Sequence, residues 1–299
     1  MKKFSLGLFG LLVLIIALVG FVYYNTSNVP LSAKMDLSDS VIWFDDYFTI
    51  EYIDETTIAI GEPRYFQKNY NYLIIGEEKA ILLDTGPGVR NIKPVVESLT
   101  RLPVTVISSH LHYDHVGNHD QFDRIAMLNI EKTSRRFQSE WFNPSYSEHL
   151  GFIEGIEKPR FKVSESLFPN QIIDLGKRVV TVLHTPGHTQ ESLMLLDKSR
   201  HYLFAGDFIY EGDLYAFLPG SDIAEYYNST QNLLALTTIH TTVLAAHSGS
   251  LPASLPVLGH QDLVDLNKAL SLVLSEELEG EGTILTTYRV NKRMSLIAN

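Results

Sequence analysis

From residue 57 onward the chain alternates short apolar runs with polar breaks. Runs with strand character fall at 57–60, 70–75, 79–83, 104–108, 178–183, 192–196, 201–205, 242–246 and 283–290. Helix candidates lie between them. One, over 91–100, follows the Gly86-Pro87-Gly88 turn, and another covers 131–141. A third, over 222–236, opens on the cap signal Ser221/Asp222. A fourth, over 262–278, carries Leu263, Leu266, Leu270 and Leu274 at helical spacing. Strands lead, helices interleave, and the pattern occurs twice, which predicts an α/β protein of stacked β layers covered by helices. The least patterned stretch, 143–169, reads as a long connection that frames or covers a site.

One segment stands outside this pattern. Residues 4–24 form an uncharged apolar run preceded by Lys2 and Lys3 and closed by Tyr23 and Tyr24. As a helix, 21 residues at about 1.5 Å each span roughly 31 Å, close to the ~30 Å hydrocarbon core of a bilayer. The positive end and the terminal aromatics predict a single-pass transmembrane helix in residues 1–25. The rest would then lie on the extracytoplasmic side of the cell membrane. A cleaved signal peptide is the rival; its apolar core would be shorter, and the one candidate cut, near Ala33, is poor. Residues 26–48 read as a spacer and 49–299 as the functional domain.

Composition narrows the chemistry. The 299 residues carry a formal net charge of −11, so a nucleic-acid backbone, which is bound by clustered Lys and Arg, is not an expected partner. The chain has no cysteine, which removes disulfides, thiolate metal sites and a Cys nucleophile.

The densest chemical signal is Ser109-His110-Leu111-His112-Tyr113-Asp114-His115, directly after the apolar run 104–108. Alternation along an extended chain places His110 and His112 on one side. A turn then brings Asp114 and His115 round. Imidazole and carboxylate are ligands that suit Zn²⁺, and histidine binds metal only when neutral. Three imidazoles this close would repel one another if charged, so the cluster predicts a metal.

This run resembles the His-x-His-x-Asp-His motif of the metallo-β-lactamase superfamily, and further stretches resemble that family's remaining elements in the same order. They are Leu82-Leu83-Asp84-Thr85-Gly86, Thr185-Pro186-Gly187-His188-Thr189, Leu203-Phe204-Ala205-Gly206-Asp207 and Ala245-Ala246-His247-Ser248-Gly249. The resemblance implies a four-layer αββα sandwich over about 50–290 and a pair of divalent ions, Zn²⁺ by default, with Mn²⁺, Fe²⁺ or Co²⁺ acceptable to the same donors. It implies that His110, His112 and His188 hold one ion and Asp114, His115 and His247 the other. Asp207 would bridge them, with Asp84 buried beside the site. The family usually flanks its last histidine with glycines, whereas here Ala246 and Ser248 stand there. His240 and His260 compete for that role, but His240 precedes the run 242–246 whereas His247 follows it. His184 is a candidate to orient a ligand. The other histidines, His119, His149 and His201 among them, read as structural or solvent-facing.

Two such ions acidify a water for attack on a carbonyl or phosphoryl centre. The Asp114 carboxylate would steer the proton. Tyr210, three residues after Asp207, stands where lactone-opening members of the family have a tyrosine that hydrogen-bonds the developing oxyanion. The ligand set resembles glyoxalase II, the lactonases, the acyl-thioester hydrolases and the nuclease branch. The leading expectation is hydrolysis of a small-molecule ester, thioester or lactone. The alternatives are a phosphodiesterase or nuclease using the same ions, and a non-catalytic metal-binding interaction protein.

Overall fold

Two β-sheets pack face to face with helices outside each, because most of their strands are apolar on both faces. The structure is a computed structural model that describes residues 31–134, 136, 141–249 and 254–299. The first sheet runs in sequence order through β1 (Val41–Trp43), β2 (Thr49–Asp54), β3 (Thr57–Gly61), β4 (Tyr70–Ile75), β5 (Ala80–Leu83), β6 (Val104–Ile107), β7 (Ile125–Leu128) and β8 (Glu165–Leu167). It is antiparallel as far as β5 and parallel from there on. The second sheet is built from β9 (Ile172–Asp174), β10 (Val179–His184), β11 (Leu193–Asp197), β12 (Tyr202–Gly206), β14 (Thr242–Ala245) and β15 (Val257–Gly259). A small third sheet joins β13 (Gly212–Ala216) to β17 (Met294–Ala298), which also pairs with β16 (Thr286–Arg289).

Period-2 alternation divides each strand between two cores. On β11, Leu193 and Leu195 face the other sheet with Phe204, Leu244, Ile81 and Leu83. Met194 and Leu196 face outward onto helices, with Leu203 and Val243. On β5, Ile81 and Leu83 point inward, while Ala80 and Leu82 point out against Ile92, Val95 and Val96. Helix α1 (Lys93–Leu99) supplies those last two valines. Helices α2 (Ile223–Leu236) and α3 (His260–Leu274) cover the second sheet through Tyr226, Leu233, Leu263, Leu266 and Leu270. Asp222 caps α2 by accepting from the Glu225 amide, as its sequence signal predicts. The buried Arg178 pins the two sheets together: it pairs with Asp197 at 2.8 Å and donates to the Thr56 and Ile75 carbonyls.

The expected αββα layering is therefore present, with local differences. Strands β1, β2, β7, β8, β9, β13 and β15 went unpredicted, being short or more polar, and so did the more apolar β17. The run 283–290 narrows to β16, which lies outside both main sheets. Of the helix expected over 131–141, residues Glu131–Ser134 form one turn, and part of the rest lies outside the described residues. Strand β1, which pairs with β2, lies inside the stretch read as a spacer. The apolar run 4–24 lies outside the described residues. Among the residues described, no helix is long and apolar enough to cross a membrane.

Candidate metal centre

The strands that matter end at one edge. Strands β5 and β6 run parallel, and β10, β12 and β14 share one direction, since β10 and β12 are each antiparallel to β11 and β14 is parallel to β12. Their carboxyl ends open into the segments that carry Asp84, His110, His188, Asp207 and His247. The sheets are tied where they meet. The Tyr70 amide donates to the Ala246 carbonyl at 2.7 Å, the Tyr72 hydroxyl to the Ala245 carbonyl at 2.6 Å, and the Leu193 amide to the Ser109 carbonyl at 2.8 Å. Donors from both sheets are thus held on a rigid frame.

The seven side chains singled out in the sequence form two groups that share one residue. His110, His112, His188 and Asp207 make the first; Asp114, His115, His247 and Asp207 make the second. Within each, one donor atom per residue lies within 4.8 Å of the others. In the first group, His112 Nδ1 stands 2.9 Å from His110 Nε2 and 3.1 Å from His188 Nε2. Asp207 Oδ2 lies 3.8 Å from both of those Nε2 atoms. In the second, Asp207 Oδ1 is 3.2 Å from His115 Nε2 and 3.0 Å from His247 Nε2, and Asp114 Oδ2 is 3.3 Å from each. A tetrahedral ion with bonds of about 2.0–2.1 Å needs donors about 3.3 Å apart, so both sets have the right spacing.

The outer nitrogens fix the inner ones. Asp84 Oδ2 lies 2.9 Å from His115 Nδ1, the Gln67 carbonyl 3.0 Å from His247 Nδ1, and the Tyr215 carbonyl 2.9 Å from His188 Nδ1. Ser109 Oγ donates to Asp84 and so accepts from His110 Nδ1 at 3.0 Å. Each acceptor holds a proton on Nδ1 and leaves the Nε2 lone pair facing inward. The backbone is shaped to the same end. Asp84 has φ 64°, a left-handed conformation rare outside glycine, and Gly206 has φ 52°. A Cβ on Gly206 would stand 2.6 Å from that of Ser109, so glycine is required immediately before Asp207.

Electrostatics separate the two groups. Burial holds His110, His112 and His188 below the ordinary histidine range, with His112 at about 3 and neighbouring imidazoles adding to the effect. All three are neutral donors at pH 7. Burial also opposes charge on His115 and His247, but Asp207 and Asp114 outweigh it, raising His115 well above its usual value and His247 to about 10. Burial likewise works against Asp114 and Asp207, yet the facing histidines hold both well below the carboxylate range. The second group therefore demands positive charge between its members. His115 Nε2, His247 Nε2 and Asp207 Oδ1 are buried without a hydrogen-bond partner. An orphaned buried polar atom costs roughly 1–3 kcal/mol. Three of them converging on one point fit a cation, which all three would ligate in place of protons.

Other expectations sort as follows. Tyr210 stacks edge-on to His247 with centroids 5.4 Å apart, but its hydroxyl donates to the Asp213 carbonyl at 2.6 Å. His184 lies outside both groups, 2.8 Å from the Gln190 carbonyl. His119 bonds Thr85, His260 bonds Thr237, and the rings of His201 and His240 pair with each other. His149 is buried beside Tyr113. Sequence reasoning missed Asn69, whose Nδ2 donates to the Asp114 carbonyl and to Oδ2. It also missed Glu62, buried below with the Tyr47 hydroxyl at 2.7 Å and Asn71 Nδ2 at 2.9 Å. Neither belongs to a motif that would have marked it.

Above the donors opens a cavity of about 620 Å³, with His112, Asp114, His188, Asp207 and His247 among its lining residues. Phe66, Leu150, Tyr215, Phe217 and Leu218 supply apolar walls. Leu150 comes from the weakly patterned 143–169 connection, as expected of a segment that frames a site.

Comparison with known proteins agrees with this geometry. The family model described as the metallo-beta-lactamase superfamily matches residues 65–247. The human acyl-coenzyme A thioesterase MBLAC2 is 30% identical over 186 residues, covering 55% of this chain and 67% of its own. Among solved structures, the metallo-beta-lactamase from Pontibacter korlensis superposes with a TM-score of 0.57 at 14% identity, covering 75% of this chain and 99% of its own. The BLEG-1 B3 metallo-beta-lactamase does so at 0.52 and 20%, covering 71% and 98%. At such identities the two structures speak for the fold alone.

Proposed function

The chain belongs to the metallo-beta-lactamase superfamily, and from that premise we propose that it is a hydrolase of two divalent ions, most simply Zn²⁺, acting on the carbonyl of an acyl ester, thioester or lactone. The observation that carries this reading is the shared Asp207, which joins two complete donor groups beneath an apolar-walled cavity. The thioesterase named among its relatives points to the same bond class.

The ions, when bound, supply Lewis acidity and a water acidified toward neutral pH. His110, His112 and His188 would hold one and Asp114, His115 and His247 the other, with Asp207 common to both. The residues of the chain do the rest. Phe66, Leu150, Phe217 and Leu218 remove the acyl group from water and orient its carbonyl over the donors. Asp114, of the second group, lines the cavity, where its carboxylate can carry a proton from the attacking water to the departing oxygen or sulfur. Tyr210 serves the developing oxyanion only if its hydroxyl lets go of the Asp213 carbonyl.

The test is a panel of p-nitrophenyl butyrate, a homoserine lactone, an acyl thioester and bis-p-nitrophenyl phosphate, run on zinc-loaded protein. Turnover of the acyl compounds, abolished by chelation, supports the reading. Turnover of the phosphodiester alone would replace it with the nuclease alternative, and two bound ions without any turnover would leave a metal-holding protein. On sequence grounds we also propose that residues 4–24 anchor the domain outside the cytoplasm; protease protection of right-side-out vesicles tests this.

A further inference from the structure

The charge around the cavity mouth deepens that reading. Besides Asp114 and Asp207 of the donor groups, three carboxylates line the cavity: Glu154 from the 143–169 connection, and Glu211 and Asp213 from the segment after Asp207. Glu154 and Glu211 are half-buried and Asp213 is exposed. Among the described residues none of the three side chains is in an ion pair or hydrogen bond. No Lys or Arg is among the described residues lining the cavity. Lys68 follows Gln67 in the chain but does not line it. The stretch 250–253, which follows Ser248 and Gly249 and lies outside the described residues, reads Ser-Leu-Pro-Ala and brings no basic residue.

The charge of the two ions would be largely offset by Asp114, Asp207 and an acidified water, so a site built for an anionic substrate would need a further cation here, and arginine is the usual clamp for a carboxylate or phosphate. This cavity instead sets acids beside exposed aromatic faces, with Phe66 and Tyr215 both solvent-accessible. That combination attracts cations and repels anions.

We propose that the cavity selects acyl substrates whose acyl and leaving groups are uncharged or cationic and excludes those carrying an anion. The inference rests on the hydrolase reading of the site for its substrate, but not for its binding preference. One like charge at contact range in a partly wet pocket weakens binding roughly five- to tenfold, and salt screens the effect over about 10 Å at 0.1 M.

The experiment uses the zinc-loaded full chain and three hydroxamates of similar length, which bind whether or not the chain hydrolyses anything. One is neutral (butyrohydroxamate), one ends in a carboxylate (succinate monohydroxamate) and one in a trimethylammonium group. Calorimetric titration at low salt is expected to give the anionic ligand at least tenfold weaker binding than the neutral one, and the cationic ligand binding at least as tight as the neutral. Raising salt, or the combined change Glu154→Gln, Glu211→Gln and Asp213→Asn, is expected to shrink the difference below about threefold and leave the neutral ligand within twofold. Equal affinities in the unaltered protein, a preference that survives the triple substitution, or no binding of the neutral ligand would each overturn the proposal. A preference for the neutral ligand in a protein that turns over no ester would instead sink the hydrolase reading and leave the cavity's selectivity standing.

Discussion

Asp84 touches none of the donor groups' inner atoms, yet replacing it is expected to disable one of them. Its Oδ1 accepts from the Ser109 amide at 2.6 Å, and its Oδ2 accepts from Ser109 Oγ at 2.8 Å and His115 Nδ1 at 2.9 Å. In Asp84→Asn the amide oxygen can keep the Ser109 amide. The new NH₂ then faces two groups that were donors. His115 can relieve the clash by moving its proton to Nε2, but that proton then points between Asp114 and Asp207, where a cation must bind. Bonds to a charged acceptor contribute about 1.5–3 kcal/mol each, and lost orientation of a metal-binding histidine typically costs 10- to 100-fold in affinity. The second group should therefore bind zinc 10- to 100-fold more weakly, a loss of about 1.4–2.7 kcal/mol. The first group should change less, because His188 keeps the Tyr215 carbonyl and Ser109 Oγ, accepting now from the new NH₂, retains a lone pair for His110 Nδ1. Competition against a chromophoric chelator resolves the two sites, and circular dichroism verifies that the variant is folded. Two ions bound at unaltered affinity by a folded Asp84→Asn protein would refute the reasoning.

Two further outcomes follow from the same geometry. Burial raises Glu62 to about 7, although Tyr47 and Asn71 donate to it. The folded, metal-free protein thus keeps that proton where the unfolded chain, near the ordinary value of 4.5, has lost it. Stability should fall as pH rises through that window, by up to about 3 kcal/mol, and Glu62→Gln should flatten the slope in denaturant titrations; an unchanged slope would count against it. For Tyr210, whose proton is committed to Asp213, Tyr210→Phe is expected to lower kcat/KM less than tenfold on an acyl ester. A loss of about 10²–10³ would mark a dedicated oxyanion donor instead.

How much of this was legible depended on how locally each feature is encoded. The ligand run 110–115 announces itself because four donors crowd one turn, and the strand-end positions of His188, Asp207 and His247 follow from apolar runs that stop just before them. The central strands were visible because they are buried on both faces, as in β3 and β11. Edge strands such as β1 and β9 bury little, so their composition carries no comparable signal. Strand β17 was hidden for a different reason: besides its neighbour β16 it pairs with β13, 82 residues away, and no local pattern encodes that second pairing. The supports of the site share that trait. Asn69 meets Asp114 across 45 positions and Gln67 meets His247 across 180, through contacts that only the folded sheets bring together. Tyr210 shows the converse. Its spacing from Asp207 was plain, but the direction of its hydroxyl was not.

The most direct test of the account is the number of transition-metal ions held per chain. Protein loaded with zinc, dialysed and analysed by mass spectrometry should carry two, and Asp207→Ala, which removes the carboxylate common to both groups, should drop this to one or fewer while the chain stays folded. Retention of two ions without Asp207, or failure of the unaltered protein to hold any, would contradict it.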